Sequence, residues 1–275
     1  MSDIMELFRQ IAKEPQQTTG APEYLICGLG NPGTEYARTR HNAGFMAIDY
    51  LSQKTGISCM RSRFRALCGS GTLAGKTVLL MKPQTYMNLS GEAVREAAQY
   101  YKIPPEKIIV LVDDVYLAPG RMRVRRTGTD GGHNGLKNII YQLESDRFPR
   151  IRLGVGEKPN KEYDMADWVL GKLSDDDCKK LYPCLEAAYD GICLILQGKF
   201  DDAMGLQRYE AGREAKGENT SRTVERKHRG KQMNTAILQN IFRRSREYTG
   251  LVGSLRTPQR GRYKPYAVSG LTEGA

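Results

Sequence analysis

Three histidines stand in the 275-residue chain, and two of them, His41 and His133, open turns in which Asn and Gly follow at once (His41-Asn42-Ala43-Gly44 and His133-Asn134-Gly135). An imidazole with its unperturbed pKa of about 6.5 can take a proton near neutrality, so either ring suits general-base work. A lone histidine is more often structural; clustered Asn and Gly beside both of these favour a site. Val112-Asp113-Asp114 ends the most apolar segment of the chain. A carboxylate there can accept from an imidazole N–H, fix its tautomer and stabilise its protonated form. Each Asp taken singly also reads as a solvated turn acid. Asn31, in Gly28-Leu29-Gly30-Asn31-Pro32-Gly33, offers an amide that both donates and accepts. Asn88, in Lys82-Pro-Gln-Thr-Tyr-Met87-Asn88-Leu-Ser-Gly91, has the same chemistry, although its place before a helical pattern reads equally as an N-cap.

Other chemistries fit less well. The glycine run around Asn31 matches the G-x-G-x-x-G of dinucleotide sites, which needs a helix opening inside the glycines and an acid ending the second strand. Asn31-Pro32-Gly33 is a turn tripeptide, and Asp49 falls in a helical segment. Ser90 lies outside any G-x-S-x-G elbow. The six cysteines form no Cys-x-x-Cys pair, so they read as reduced, mostly buried thiols rather than a metal cluster.

Net charge is +11, but 14 Lys and Arg against 5 Asp and Glu after residue 211 account for +9, leaving +2 for the rest. A nucleic-acid argument for the main body therefore rests on local clusters. Arg121, Arg123 and Arg125 alternate onto one face of a strand that leads to Gly131-Gly132 and a helix start, which reads as a phosphate site. Arg147, Arg150, Arg152 and Lys158 form a second basic group.

The elements that must carry these residues alternate. Tyr24–Leu29 reads as a buried strand, Thr39–Lys54 as a helix opened by His41, and Phe64–Leu73 and Lys76–Met81 as strands around Ala74-Gly75. Asn88–Tyr101 reads as a helix, Lys107–Val112 and Gly120–Arg126 as strands, Gly135–Leu143 as a helix and Arg150–Val155 as a strand. Ser174 caps a helix reaching about Leu196, with three acids in its first turn. This pattern predicts a single α/β domain with a twisted mixed β-sheet flanked by helices. Residues 1–22 read as an N-terminal extension, 23–211 as the domain, and 212–275 as a basic, largely unstructured C-terminal extension with one apolar segment at Ala236–Phe242. No apolar run is long enough to span a membrane, and the first residues lack a signal-peptide pattern, so the expected compartment is the cytoplasm.

Together the segments Gly-Leu-Gly-Asn-Pro-Gly-x-x-Tyr-x-x-Thr-Arg-His-Asn, Met-Asn-Leu-Ser-Gly, Asp-Asp-x-x-Leu-x-Pro-Gly and Gly-Gly-His-Asn-Gly-Leu-Lys resemble the bacterial-type peptidyl-tRNA hydrolases from about Tyr24 to Tyr209. The resemblance implies a monomer that hydrolyses the ester joining a peptide to the 3′ end of tRNA, without cofactor or metal. It makes His41 the base, Asp113 its orienting carboxylate, and Asn31 a polar group beside the water and scissile carbonyl. Asn88 and Asn134 would bind the peptide backbone and terminal nucleotide region. Tyr36 and Met87 would line the crevice, His133 would join the substrate-binding set, and Arg125 and Arg152 would clamp acceptor-stem phosphates. Tyr116 departs from the family, which often has an acid there.

The rival of a different class is a non-catalytic RNA-binding relative, since organellar splicing factors resembling this family act as scaffolds. The segment Met233–Ala275 faintly resembles the opening of a bacterial transcription-repair coupling factor; the other reading of the tail is a basic arm that adds RNA affinity.

Overall fold

The computed structural model describes residues 20–206; the expectations for residues 1–19 and for the tail after residue 211 lie outside them. Seven strands form one sheet in the order β2-β3-β4-β1-β5-β7-β6. They are β1 Tyr24–Gly28, β2 Arg61–Arg63, β3 Ala66–Leu73, β4 Lys76–Pro83, β5 Ile108–Asp114, β6 Met122–Arg125 and β7 Arg150–Gly154. The central strands β4, β1, β5 and β7 run parallel, while β3, β2 and β6 add antiparallel edges. The mixed α/β sheet read from the sequence is the one observed.

The residues of β5 explain the layers. All seven are buried, and alternate ones face opposite cores. Ile109 and Leu111 pack with α1 (Ala43–Thr55), α5 (Asp175–Leu196) and α6 (Phe200–Gly205), whereas Ile108, Val110 and Val112 pack with α2 (Ser90–Tyr101) and α3 (Asn134–Leu143). A strand covered on both sides reads as a continuous apolar run, as this one does. No helix among the described residues is long and apolar enough to cross a membrane. Ser174 caps α5 as expected, accepting from the Asp177 N–H at 3.0 Å.

The glycines that resemble a dinucleotide fingerprint serve a different purpose. A Cβ at Gly28 would lie 2.2 Å from the Gly44 carbonyl, and one at Gly44 only 2.4 Å from the backbones of Leu111 and Leu29. The start of α1 thus presses directly on β1 and β5, and the Phe45 N–H donates to the Leu29 carbonyl at 3.1 Å. Because β1 is followed by strands on one side and flanked by β5 on the other, the crevice above their carboxyl ends is a topological switch point, where ligands of α/β sheets bind. His41 sits in a one-turn 3-10 helix, Arg40–Asn42, just ahead of α1 and not inside it.

Candidate active site

A closed ring of contacts joins the residues at those strand ends. Asn31 follows β1 and is gripped by Asn42, whose Oδ1 accepts from the Asn31 N–H and whose Nδ2 donates to the Asn31 carbonyl, both at 2.9 Å. The neighbour of Asn42, His41, places Nδ1 3.0 and 3.1 Å from the two oxygens of Asp113 at the end of β5. Asp113 Oδ1 is also 3.0 Å from Nε2 of His133. His133 Nδ1 in turn accepts from the backbone N–H groups of Gly135 and Leu136, at 3.1 and 3.3 Å, and so caps α3. A Cβ built on Gly135 would lie 2.7 Å from Sδ of Met87, and the Met87 N–H donates to Asn31 Oδ1 at 2.9 Å, closing the ring.

Proton bookkeeping follows from these partners. Backbone N–H groups can only donate, so His133 must present a lone pair at Nδ1 and carry its proton on Nε2, aimed at Asp113. His41 donates from Nδ1 to the same carboxylate, and its Nε2 has no protein partner among the described residues. With its oxygen taken by the Met87 N–H, Asn31 likewise turns its NH2 outward as a donor. Burial opposes a charged His41, yet the charge of Asp113 and the bond to it outweigh burial and hold the ring above its ordinary value. Burial also disfavours the Asp113 carboxylate, but the charges and hydrogen bonds of His41 and His133 hold it well below the usual carboxylate range. Burial dominates at His133 and pushes it down, so that ring stays neutral.

His41, Asp113 and His133 also bring ligand-type atoms within 4.8 Å of one another, the spacing of a metal triad. The proton held on His133 Nε2 by its cap occupies the lone-pair position a metal would need. A water held by His41 Nε2 and the Asn31 NH2 is what the arrangement can activate. The cysteines offer no competing nucleophile: all six are free thiols, five of them buried, and burial pushes Cys68 and Cys184 up to about 12.

The peptidyl-tRNA hydrolase family model matches residues 25–217. The chain belongs to the peptidyl-tRNA hydrolase family. It is 50% identical over 184 residues to the peptidyl-tRNA hydrolase of Agathobacter rectalis, covering 66% of this chain and 98% of that protein. The peptidyl-tRNA hydrolase of Caldicellulosiruptor bescii is 48% identical over 182 residues, 66% of this chain and 95% of its own length. The crystal structure of peptidyl-tRNA hydrolase from Acinetobacter baumannii superposes with a TM-score of 0.66 at 36% identity, covering 71% of this chain and all of that one.

Within this family member the remaining residues divide. Asn88 lies exposed in the 3-10 turn Met87–Leu89 and caps nothing, since Ser90 opens α2 and its hydroxyl donates to the Met87 carbonyl. Asn134 is exposed as the first residue of α3, Tyr36 is half-buried, and Met87 is buried in the ring. His133, read from the sequence as a substrate contact, has its polar atoms spent on Asp113 and the α3 backbone. That cap also removes two N–H groups from the phosphate site read at the start of α3. Arg125 is exposed on the edge strand β6. Arg152 is tucked in, bonding the carbonyls of Thr129 and Asp130 and lying 3.5 Å from Asp114. Arg150 does not join a surface group: it is 1% exposed and donates to the carbonyls of Gly128, Thr129, Asp146 and Phe148. Sequence reasoning missed Asn42, for which the adjacent Arg-His-Asn was the available signal.

Proposed function

We propose that His41 is the general base of this hydrolase, oriented by Asp113 and assisted by the Asn31 amide. The chain cuts the ester between a peptide and the 3′ end of tRNA, releasing both. His41 Nε2 takes a proton from water as its oxygen attacks the acyl carbon, while Asn31 donates a hydrogen bond beside the reacting carbonyl. The tetrahedral intermediate collapses, and His41 returns the proton to the departing 3′ oxygen of the tRNA. An aminoacyl ester is activated, so a positioned base and amide donors suffice for the step. The observation that carries this reading is the His41–Asp113 contact at 3.0 Å, with no partner for the second imidazole nitrogen among the described residues.

Around the base, Asn88 and Asn134 bind the peptide backbone and terminal nucleotide region, Tyr36 and Met87 line the crevice, and Arg125 meets acceptor-stem phosphates. Arg152, expected beside it in that clamp, has its donors on Thr129, Asp130 and Asp114 and holds the loop instead. The catalytic unit in this reading is residues 23–211, acting as a monomer in the cytoplasm where translation strands its substrate, with residues 212–275 appended. Replacing His41 with Ala is expected to lower turnover of peptidyl-tRNA at least ~100-fold, within the usual range of a general base, while tRNA binding persists. Near-normal release by that variant would defeat the assignment and favour the scaffold alternative.

A further inference from the structure

The hydrolytic scheme gives His133 no part, yet its side chain is buried and bonded through both ring nitrogens. Its ring is 7% exposed and stands 4.8 Å from that of His41, at an interplanar angle of 49°. Both nitrogens are committed, Nδ1 to two backbone donors of α3 and Nε2 to Asp113 Oδ1. Helix N-caps favour Ser, Thr, Asp and Asn. Any of these would cap α3 here, but none is long enough to reach Asp113 as well.

We infer that His133 is a positioning residue, which ties the Asp113 carboxylate to the start of α3 and thereby sets the tautomer and proton affinity of His41. The inference rests on His41 being the base. The chain of constraint has one direction. Peptide N–H groups of α3 cannot change tautomer, so they fix the proton of His133 on Nε2. That N–H holds Oδ1, and with it the plane of the carboxylate, from the side opposite to α1 and independently of His41. In the fixed plane both carboxylate oxygens stay within 3.1 Å of His41 Nδ1, and the imidazole lone pair is kept on Nε2. The neutral donor also draws off part of the carboxylate's charge, moderating its hold on the His41 proton. A base clamped too tightly to its proton cannot return to the neutral form that attacks water.

The groups that can titrate against this pair are few. Asp113 faces His41 from β5, His133 faces both from α3, and Arg152 acts on His133 from β7 while paired with Asp114. Removing the His133 N–H leaves Asp113 undivided for His41. The acid limb of kcat/KM then moves to higher pH, and the plateau falls because the carboxylate is no longer held.

Two substitutions in the full chain separate the cap from the relay. His133→Asn keeps a capping oxygen but withdraws the donor; His133→Gln keeps an amide donor near the position of Nε2 and weakens the cap. With an N-blocked aminoacyl-tRNA as substrate, His133→Asn is expected to lose about tenfold in kcat with KM unchanged, and its acid limb to rise by roughly half to one pH unit. His133→Gln should return the limb to the wild-type position. A wild-type profile in His133→Asn, or a loss confined to KM, overturns the inference. Should that variant fail to fold, nitrogen chemical shifts of the wild-type imidazoles decide the matter: a neutral Nε2–H His133 beside a titrating His41 supports it, and a His133 that protonates or carries its proton on Nδ1 overturns it. Measuring His41→Ala in parallel keeps the two claims apart, since only its near-normal turnover would remove the base itself.

Discussion

Replacing Asp113 with Asn keeps its size and breaks its symmetry. His41 Nδ1 now meets two equivalent acceptors, while His133 Nε2 meets Oδ1 alone. Because the α3 backbone holds the His133 proton on Nε2, the asparagine must keep its carbonyl oxygen there. Its NH2 then occupies the Oδ2 position, against His41. An N–H on His41 Nδ1 then keeps only the Oδ1 it shares with His133, at 3.0 Å, and meets another N–H where the second acceptor stood. This weakens the preference for that tautomer against the one with its proton on Nε2, where it cannot take one from water. Removing the negative charge acts the same way. Unit charges 3.0 Å apart interact by roughly 5–6 kcal/mol at an effective dielectric of about 20. A transition state with the proton half transferred feels about half of that, ~3 kcal/mol, or on the order of a hundredfold in rate. With the tautomer shift added, kcat for an N-blocked aminoacyl-tRNA is expected to fall by ~10²–10⁴ with KM little changed. Adding His133→Ala frees the amide to turn over, so the double variant should lose less than the product of the two single losses. An Asp113→Asn enzyme keeping roughly a tenth or more of wild-type turnover would refute the reasoning.

The raised proton affinity of His41 gives opposite signs for activity and stability. Hydrolysis needs the neutral ring, so kcat/KM should rise with pH through a pKa above the ordinary value of about 6.5. The ion pair with Asp113 stabilises the fold fully below that ordinary value and is lost as pH rises through the folded one, so the wild-type minus His41→Ala stability difference, from denaturant titrations, should shrink over the window in which activity appears. Gly44→Ala would bring a Cβ to 2.4 Å from backbone on both sides, and a loss of about 1–3 kcal/mol or more is expected in the same titrations. Arg125→Glu should weaken tRNA binding and make its dependence on log salt shallower by about one for each phosphate the protein no longer neutralises, leaving hydrolysis of a short peptidyl-nucleotide ester unchanged.

The layers were readable because they are written in local patterns. Ile108 to Val112 are apolar without alternation, which demands helices on both faces of a parallel strand, and the acids after Ser174 mark a helix start that the cap bond makes real. Elements made by tertiary contact were not readable. The edge strand Arg61–Arg63 is wholly exposed and polar, and only its pairing with β3 makes it a strand. The short helix α4, Met165–Leu170, is mostly exposed; it is held by the Arg40 guanidinium 3.5 Å over the Trp168 ring and by the Trp168 Nε1–H on the Gly156 carbonyl.

For the site, residue types were legible and partnerships were not. A histidine followed by Asn and Gly reads the same at 41 and at 133, yet one ring keeps a nitrogen free and the other spends both. The difference lies in what each nitrogen faces. His133 precedes a helix whose first N–H groups need an acceptor, and no periodicity says that the acceptor will be the histidine itself and not an ordinary cap. Arginines misled for a related reason. Arg125 is exposed on β6, but counting Arg150 with Arg147, Arg152 and Lys158 as one basic group passed over its place on β7. That strand lies inside the sheet between β5 and β6, and the Arg150 guanidinium is enclosed by carbonyls of the 128–129 loop and of residues 146 and 148, where burial beside Arg152 pushes it down to about 10. Charge alone therefore cannot separate an arginine open to solvent from one that holds the loop leading to His133. Only the direction of its donors does.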